Sequence, residues 1–197
     1  TLNDVALATA AGALGRFLQR RGLDPARLSF RAQVPVSTRA GHDRGAGNQV
    51  VMLLADLPVG ETDPVARLER VRETMGRLKG SRQRAGVQFL EELSDHTAPA
   101  LWIDFARLAT RQRAFNVVIT NIPGPPRPAY LLGARMEAIY PLVPLAANQA
   151  LGMALFSYDG GLHWGLHADW DALPDLHDVV TLLDEELERL AKRAAQA

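Results

Sequence analysis

Cysteine is absent from all 197 residues. Disulfides, thiolate metal sites and thiol nucleophiles are therefore excluded, and a reducing, cytoplasmic setting is the compatible one. A net charge is also lacking: Lys and Arg number 22, Asp and Glu 22. No overall field draws in a polyanion, so nucleic acid is not an expected partner. No apolar run approaches the roughly 20 residues of a membrane-spanning helix, and no signal peptide is visible in these residues. Ser37 and Ser157 lack a Gly-x-Ser-x-Gly elbow, and no Gly-Lys-Ser/Thr follows the glycines between Gly41 and Gly47, so neither a nucleophile elbow nor a phosphate loop is present. Internal repeats and low-complexity linkers are missing too. The chain begins at Thr1 rather than Met, with a helix start already in place; trimming or a fragment is the expectation.

What remains is an ordinary globular composition, 47% hydrophobic and 22% charged, with enough chain for one core. "TLNDVALATAAGALGRFLQRRG" predicts a helix. Thr1 or Asn3 caps it, Asp4 suits its positive end, Leu7, Ala11, Leu14 and Leu18 share a face, and Gly22 stops it. Its alanines make a thin face that lets a neighbour pack close. "LSFRAQVPVSTR" alternates as a strand, and Pro35, which has no N–H, predicts an edge or a bulge. Val50 to Leu54 is continuously apolar and predicts a strand buried on both faces. A second helix follows Asp63-Pro64, with Val65, Leu68, Val71 or Arg72, Met75 and Leu78 as its stripe. Two short helices divided near Pro99 are expected over 87–112, then a strand from Phe115 to Ile122 and another around "ARMEAIYPLVP". Asp159-Gly160-Gly161 predicts a hairpin turn between two alternating runs. The last helix carries Leu176, Val179, Val180, Leu183, Leu187 and Leu190. The fold expected is a single α/β domain over residues 1–197, a mixed β-sheet with helices packed on it.

Candidate chemistry is sparse. His163 and His167 are four apart on a predicted strand, about 13 Å at ~3.3 Å per residue, too far for one metal ion to join. His167-x-x-x-Asp171 has the spacing of an acyltransferase pattern, but Ala172 follows instead of Gly, and a surface histidine near a capping region explains it as well. His42, His96 and His177 have no nucleophile or carboxylate at a diagnostic spacing. The arginine-rich "GRLKGSRQRAG" suits phosphate or a solvated helix end. The segment "NVVITNIPGPPRP" stands out. Pro-Gly fits the centre of a type II turn, the next prolines stiffen the chain, and Gly124 admits a close neighbour. Asn121 places a donor and an acceptor at the strand end. The corner either seals a core or shapes a ligand wall.

Four stretches, in order, resemble one family, the bacterial wax ester synthase/diacylglycerol acyltransferases: "TLNDVALA", "RAQVPVSTR" with "GNQVVMLLADLPV", "NVVITNIPGPP", and "IYPLVPLAANQALGMALFSYDGGLHWGLHADWDALPD". The resemblance implies one half of a two-domain, chloramphenicol acetyltransferase-like fold from the CoA-dependent acyltransferase superfamily, with a tunnel between the halves. It implies a general-base histidine in a His-His-x-x-x-Asp-Gly motif on the N-terminal half. This sequence contains no His-His pair, so it resembles the C-terminal half, with no catalytic residue of its own and no turnover expected from it alone. The resemblance places Asn3, Asp4, Asn121, Pro123, Gly124 and Pro125 at the tunnel or the interface between halves. It implies fatty acyl-CoA and diacylglycerol or a fatty alcohol as substrates, no cofactor, an N-terminal catalytic half as partner, and contact with a membrane surface or lipid inclusion. Two alternatives are a non-catalytic interface module, and a condensation-like enzyme using carrier-protein thioesters.

Overall fold

The computed structural model describes residues 1–37, 50–80, 114–145 and 148–196. The expected helices over 87–112, the 40–48 loop, His42 and His96 lie outside the described residues.

Helix α1 (Leu2–Arg20) opens on a reciprocal cap. The Asp4 amide donates to the Thr1 hydroxyl, while the Thr1 hydroxyl and amino group donate to the Asp4 carboxylate at 2.7 and 2.9 Å. Thr1, not Asn3, is thus the cap, and the backbone donors of Thr1 and Asp4 are satisfied reciprocally. Beyond Arg20 the chain turns through Gly22 in the left-handed region.

Strands β1 (Arg31–Ser37) and β2 (Val50–Asp56) pair antiparallel. Helix α2 (Pro64–Lys79) follows, with Asp63 accepting from the Val65 and Ala66 amides. Those amides hold the Asp63 carboxyl below its ordinary value. Strand β3 (Val117–Ile122) starts two residues later than Phe115. The region expected to hold another full strand contributes only a small ribbon, β4 (Tyr130–Leu131) with β5 (Ala134–Arg135). The rest of "ARMEAIYPLVP" is not strand, because its two prolines supply no ladder donors. Instead it straps the outer face of the next hairpin, where Gly165 leaves room for the Pro141 carbonyl and Gly152 for Val143. Strands β6 (Leu151–Tyr158) and β7 (Gly161–Ala168) form that hairpin as expected, with Asp159 and Gly160 both at positive φ. Helix α3 (Leu176–Ala194) closes the described chain.

The sheet order is β2-β1-β3-β6-β7, parallel at β1/β3 and β3/β6 and antiparallel at both edges. The three described α-helices cover one face. α2 lies by β2, α3 by β7, and α1 takes the middle, buried almost all round. Its small residues allow this: a side chain at Gly15 would collide with the Val59 carbonyl, and one at Gly12 would meet the Arg67 and Glu186 side chains. The thin face expected from the alanines is therefore real.

Two strand expectations are corrected. β2 is an edge strand whose residues alternate, with Met52 45% exposed; its outward residues are apolar, which disguised the alternation. β1 is not an edge, since β2 and β3 flank it. Pro35 is tolerated because the β1–β3 ladder stops at Gln33–Val118, so no donor toward β3 is needed at residue 35. On α3 the buried set is Val179, Leu182, Leu183, Glu186 and Leu190, while Val180 and Leu187 are exposed. On α2, Arg67 takes a core position and Arg72 faces out.

That arginine meets Glu186 in an ion pair buried to 2% and 0% exposure. Arg67 also donates to the carbonyls of Ala8 and Glu61, both at 2.9 Å, and Glu186 accepts from Arg16 at 3.2 Å and from Arg189. Burial pushes the Arg67 guanidinium down, and Glu186 opposes this. The buried charges of this cluster are therefore matched, and the three described helices are joined.

Candidate functional site

The parallel strands set the geometry. Asn116 closes β1 against β3 at one end: its amide donates to the Arg31 carbonyl and its side-chain oxygen accepts from the Arg31 amide, both at 2.8 Å. At the other end the ladder has stopped, and β3 runs on beside β6 alone, to Ile122 opposite Phe156. Asn121 therefore sits where β1 and β3 have parted. Its side-chain oxygen is buried and has no hydrogen-bond partner among the described residues.

The proline-glycine corner follows. Gly124 is not at positive φ, so the expected type II turn is corrected. What requires glycine is close approach: a Cβ there would collide with the Ser157 carbonyl and the Phe156 ring. The corner is bolted to the end of β6, with the Gly124 amide donating to Ser157 Oγ at 3.0 Å and the Asp159 amide to the Pro125 carbonyl at 3.1 Å. Ser157 thus serves as a bracket for the corner. Pro123 and Pro125 are exposed beside it.

The corner and the start of α1 share a cleft of about 340 Å³, lined by Leu2, Gly124, Pro125, Ser157, Tyr158 and Leu162. Asn3 and Asp4, in the same first turn of α1, therefore stand at the same end of the molecule as Asn121 and the corner. Asn3 is half-buried and Asp4 is buried. Burial pushes the Asp4 carboxyl up, but hydrogen bonds from the Thr1 amino group and hydroxyl outweigh this and hold it below its ordinary value. Only Oδ2 carries those bonds; Oδ1 is buried without a partner among the described residues. One end of the domain thus presents two sequestered oxygens, of Asp4 and Asn121, able to accept further hydrogen bonds. An unmet buried acceptor has an energetic cost unless water or another group meets it, and the Thr9 hydroxyl is buried in the same way.

The described histidines do not assemble a base. His167 contacts the Val143 carbonyl through Nδ1 at 3.1 Å, and His163 packs edge-on against Tyr140. Neither is brought to a carboxylate by the described structure, and His177 is exposed on the first turn of α3.

The sequence reading missed Asn116 and Tyr158. Tyr158 is almost fully buried; its hydroxyl accepts from the Ala129 amide at 2.8 Å and donates to the Met136 carbonyl at 2.7 Å. The alternation of β6 marked Tyr158 as a strand residue, but nothing local announces a partner 22 or 29 positions away.

Comparison with known proteins gives a consistent set. The WS/DGAT C-terminal domain model matches residues 46–191. The O-acyltransferase WSD of Acinetobacter baylyi is 34% identical over 95% of this chain and 41% of its own length. A Mycobacterium tuberculosis protein named as a diacylglycerol O-acyltransferase is 36% identical over 97% of this chain and 39% of its own. Among solved structures, the wax ester synthase/diacylglycerol acyltransferase from Marinobacter aquaeolei VT8 superposes with a TM-score of 0.71 at 28% identity, covering 99% of this chain and 44% of that one. The starter condensation domain of rhizomide synthetase shares the fold at a TM-score of 0.55 and 16% identity. The chain spans about two-fifths of the length of the curated relatives it matches.

Proposed function

Because this chain belongs to the WS/DGAT C-terminal domain family, we propose that it forms the C-terminal half of an acyl-CoA-dependent O-acyltransferase. Its acceptor is diacylglycerol or a long-chain alcohol, and its product triacylglycerol or a wax ester. One observation carries the reading: the bolted Asn121–Pro125 corner stands beside the first turn of α1, with Oδ1 of Asp4 and of Asn121 buried and without a partner among the described residues. That is the form of a wall whose other wall lies in another part of the protein.

In this scheme the N-terminal half supplies the histidine base. The imidazole takes the proton of the acceptor hydroxyl as its oxygen attacks the thioester carbonyl. The tetrahedral intermediate collapses, the C–S bond breaks, and the CoA thiolate takes the proton back from the imidazolium. This chain's contribution is positional. The rigid corner fixes one side of the cavity, and the two waiting oxygens accept hydrogen bonds from the other half or from bound substrate. Exclusion of water by the closed cavity protects the acyl group from hydrolysis.

Thiol release from a fatty acyl-CoA tests the scheme, with diacylglycerol or hexadecanol as acceptor. Release is expected when this chain is co-expressed with the N-terminal half of a relative bearing the His-His motif, and not from this chain alone. Absence of release from the assembled halves with every acceptor overturns the reading.

A further inference from the structure

The β4–β5 ribbon ends in an arrangement that water does not favour. Tyr130, Leu131 and Leu132 are consecutive and exposed to 63%, 76% and 101%. Leu132 and Gly133 both have positive φ, 50° and 84°. This is a tight hairpin turn of the kind that takes Asn-Gly or Asp-Gly, because a leucine side chain is strained there. Leu132 is therefore unfavourable twice over, in conformation and in exposure.

The ribbon is nevertheless built firmly. The buried Tyr158 hydroxyl ties one leg at Ala129 and the other at Met136, the Met136 amide donates to the Ala129 carbonyl, and Arg135 pairs with Asp159 at 2.6 Å. A two-stranded ribbon of this size is marginal without such ties. The fold thus holds out a prepared apolar tip.

Successive strand residues point to opposite faces, so Tyr130 and Leu131 make the ribbon apolar on both sides, with Leu132 at its end. A protein surface would cover one side; a lipid phase covers all of them. Along the chain, the charges nearest the tip are basic: Arg127 before it and Arg135 after it, the latter opposite Tyr130. Of the acids, Asp159 is paired with Arg135 and Glu137 follows the ribbon in sequence, which leaves the Arg127 guanidinium for a phosphate. A guanidinium and a tyrosine behind a leucine tip match the phosphate layer above a hydrocarbon phase.

We propose that the Tyr130–Gly133 tip inserts into a lipid surface and moors the domain where its lipid acceptor is found. The proposal rests on the acyltransferase reading for its purpose, but its test does not require catalysis. The probe is co-sedimentation with phosphatidylcholine–phosphatidylglycerol vesicles, comparing the parent chain with the double variant Leu131→Ser, Leu132→Asn. Asn is at ease in the left-handed region, so the variant should unfold at a temperature no lower than the parent. Its vesicle partition should fall at least about tenfold, as expected from losing two leucines' burial. Equal partition of the two proteins overturns the proposal, as does a parent that fails to sediment. So does a variant that keeps its vesicle binding but no longer co-purifies with a co-expressed N-terminal half, since the ribbon is then an arm between halves. Acyl transfer to a water-soluble short-chain alcohol by the assembled halves separates the two ideas. Transfer without vesicle binding sinks only the mooring, and vesicle binding without transfer sinks only the enzyme.

Discussion

At the scale of single residues, Gly124 shows how close packing alone can require a glycine. The sequence marked it as a place of close approach, and the neighbour is the end of β6. Gly124→Ala should destabilise the domain by about 1–3 kcal/mol, because the added methyl must displace the Ser157 carbonyl or the Phe156 ring. Urea unfolding measures this, and a variant as stable as the parent would show that the corner is loose. Asp4 and Asn121 were legible as motif positions. That one oxygen of each lacks a partner among the described residues was not, since satisfaction depends on what the fold brings near and not on the residue type.

At the scale of elements, the readable parts were those with a long period or a strong stop. α1, the β6–β7 hairpin and most of α3 were found because caps, turn residues and stripes repeat over many positions. β2 was misjudged because an edge strand with apolar residues on its open side has no visible alternation. The β4–β5 ribbon escaped because two-residue strands have no period to detect. Helix glycines give a paired test. Gly15→Ala should destabilise by about 1–3 kcal/mol, against the usual gain of a helix alanine, because the Val59 carbonyl occupies the space. Gly76→Ala, on α2 with nothing near it, should stabilise by roughly 0.5–1 kcal/mol. Thermal unfolding of both variants checks the pair, and shifts of the same sign would contradict the packing described for α1.

At the scale of the whole molecule, the Arg67–Glu186 cluster joins residues 119 apart in sequence, and no local pattern could have announced it. Glu186→Ala should cost about 3–5 kcal/mol, since it leaves a guanidinium buried without its counter-charge. The double variant Arg67→Met, Glu186→Leu should recover part of that loss in denaturant unfolding; if it is no more stable than Glu186→Ala, the cost lies elsewhere than in the stranded charge. The sheet has a different kind of seam. β1 and β3 share only the pairs at Ala32–Val117 and Gln33–Val118, with Asn116 fastening the same end. In mechanical terms the sheet is two blades, β2–β1 and β3–β6–β7, riveted near one tip. Any shear between the blades is smallest at the rivet and grows along them toward Pro35 and Asn121.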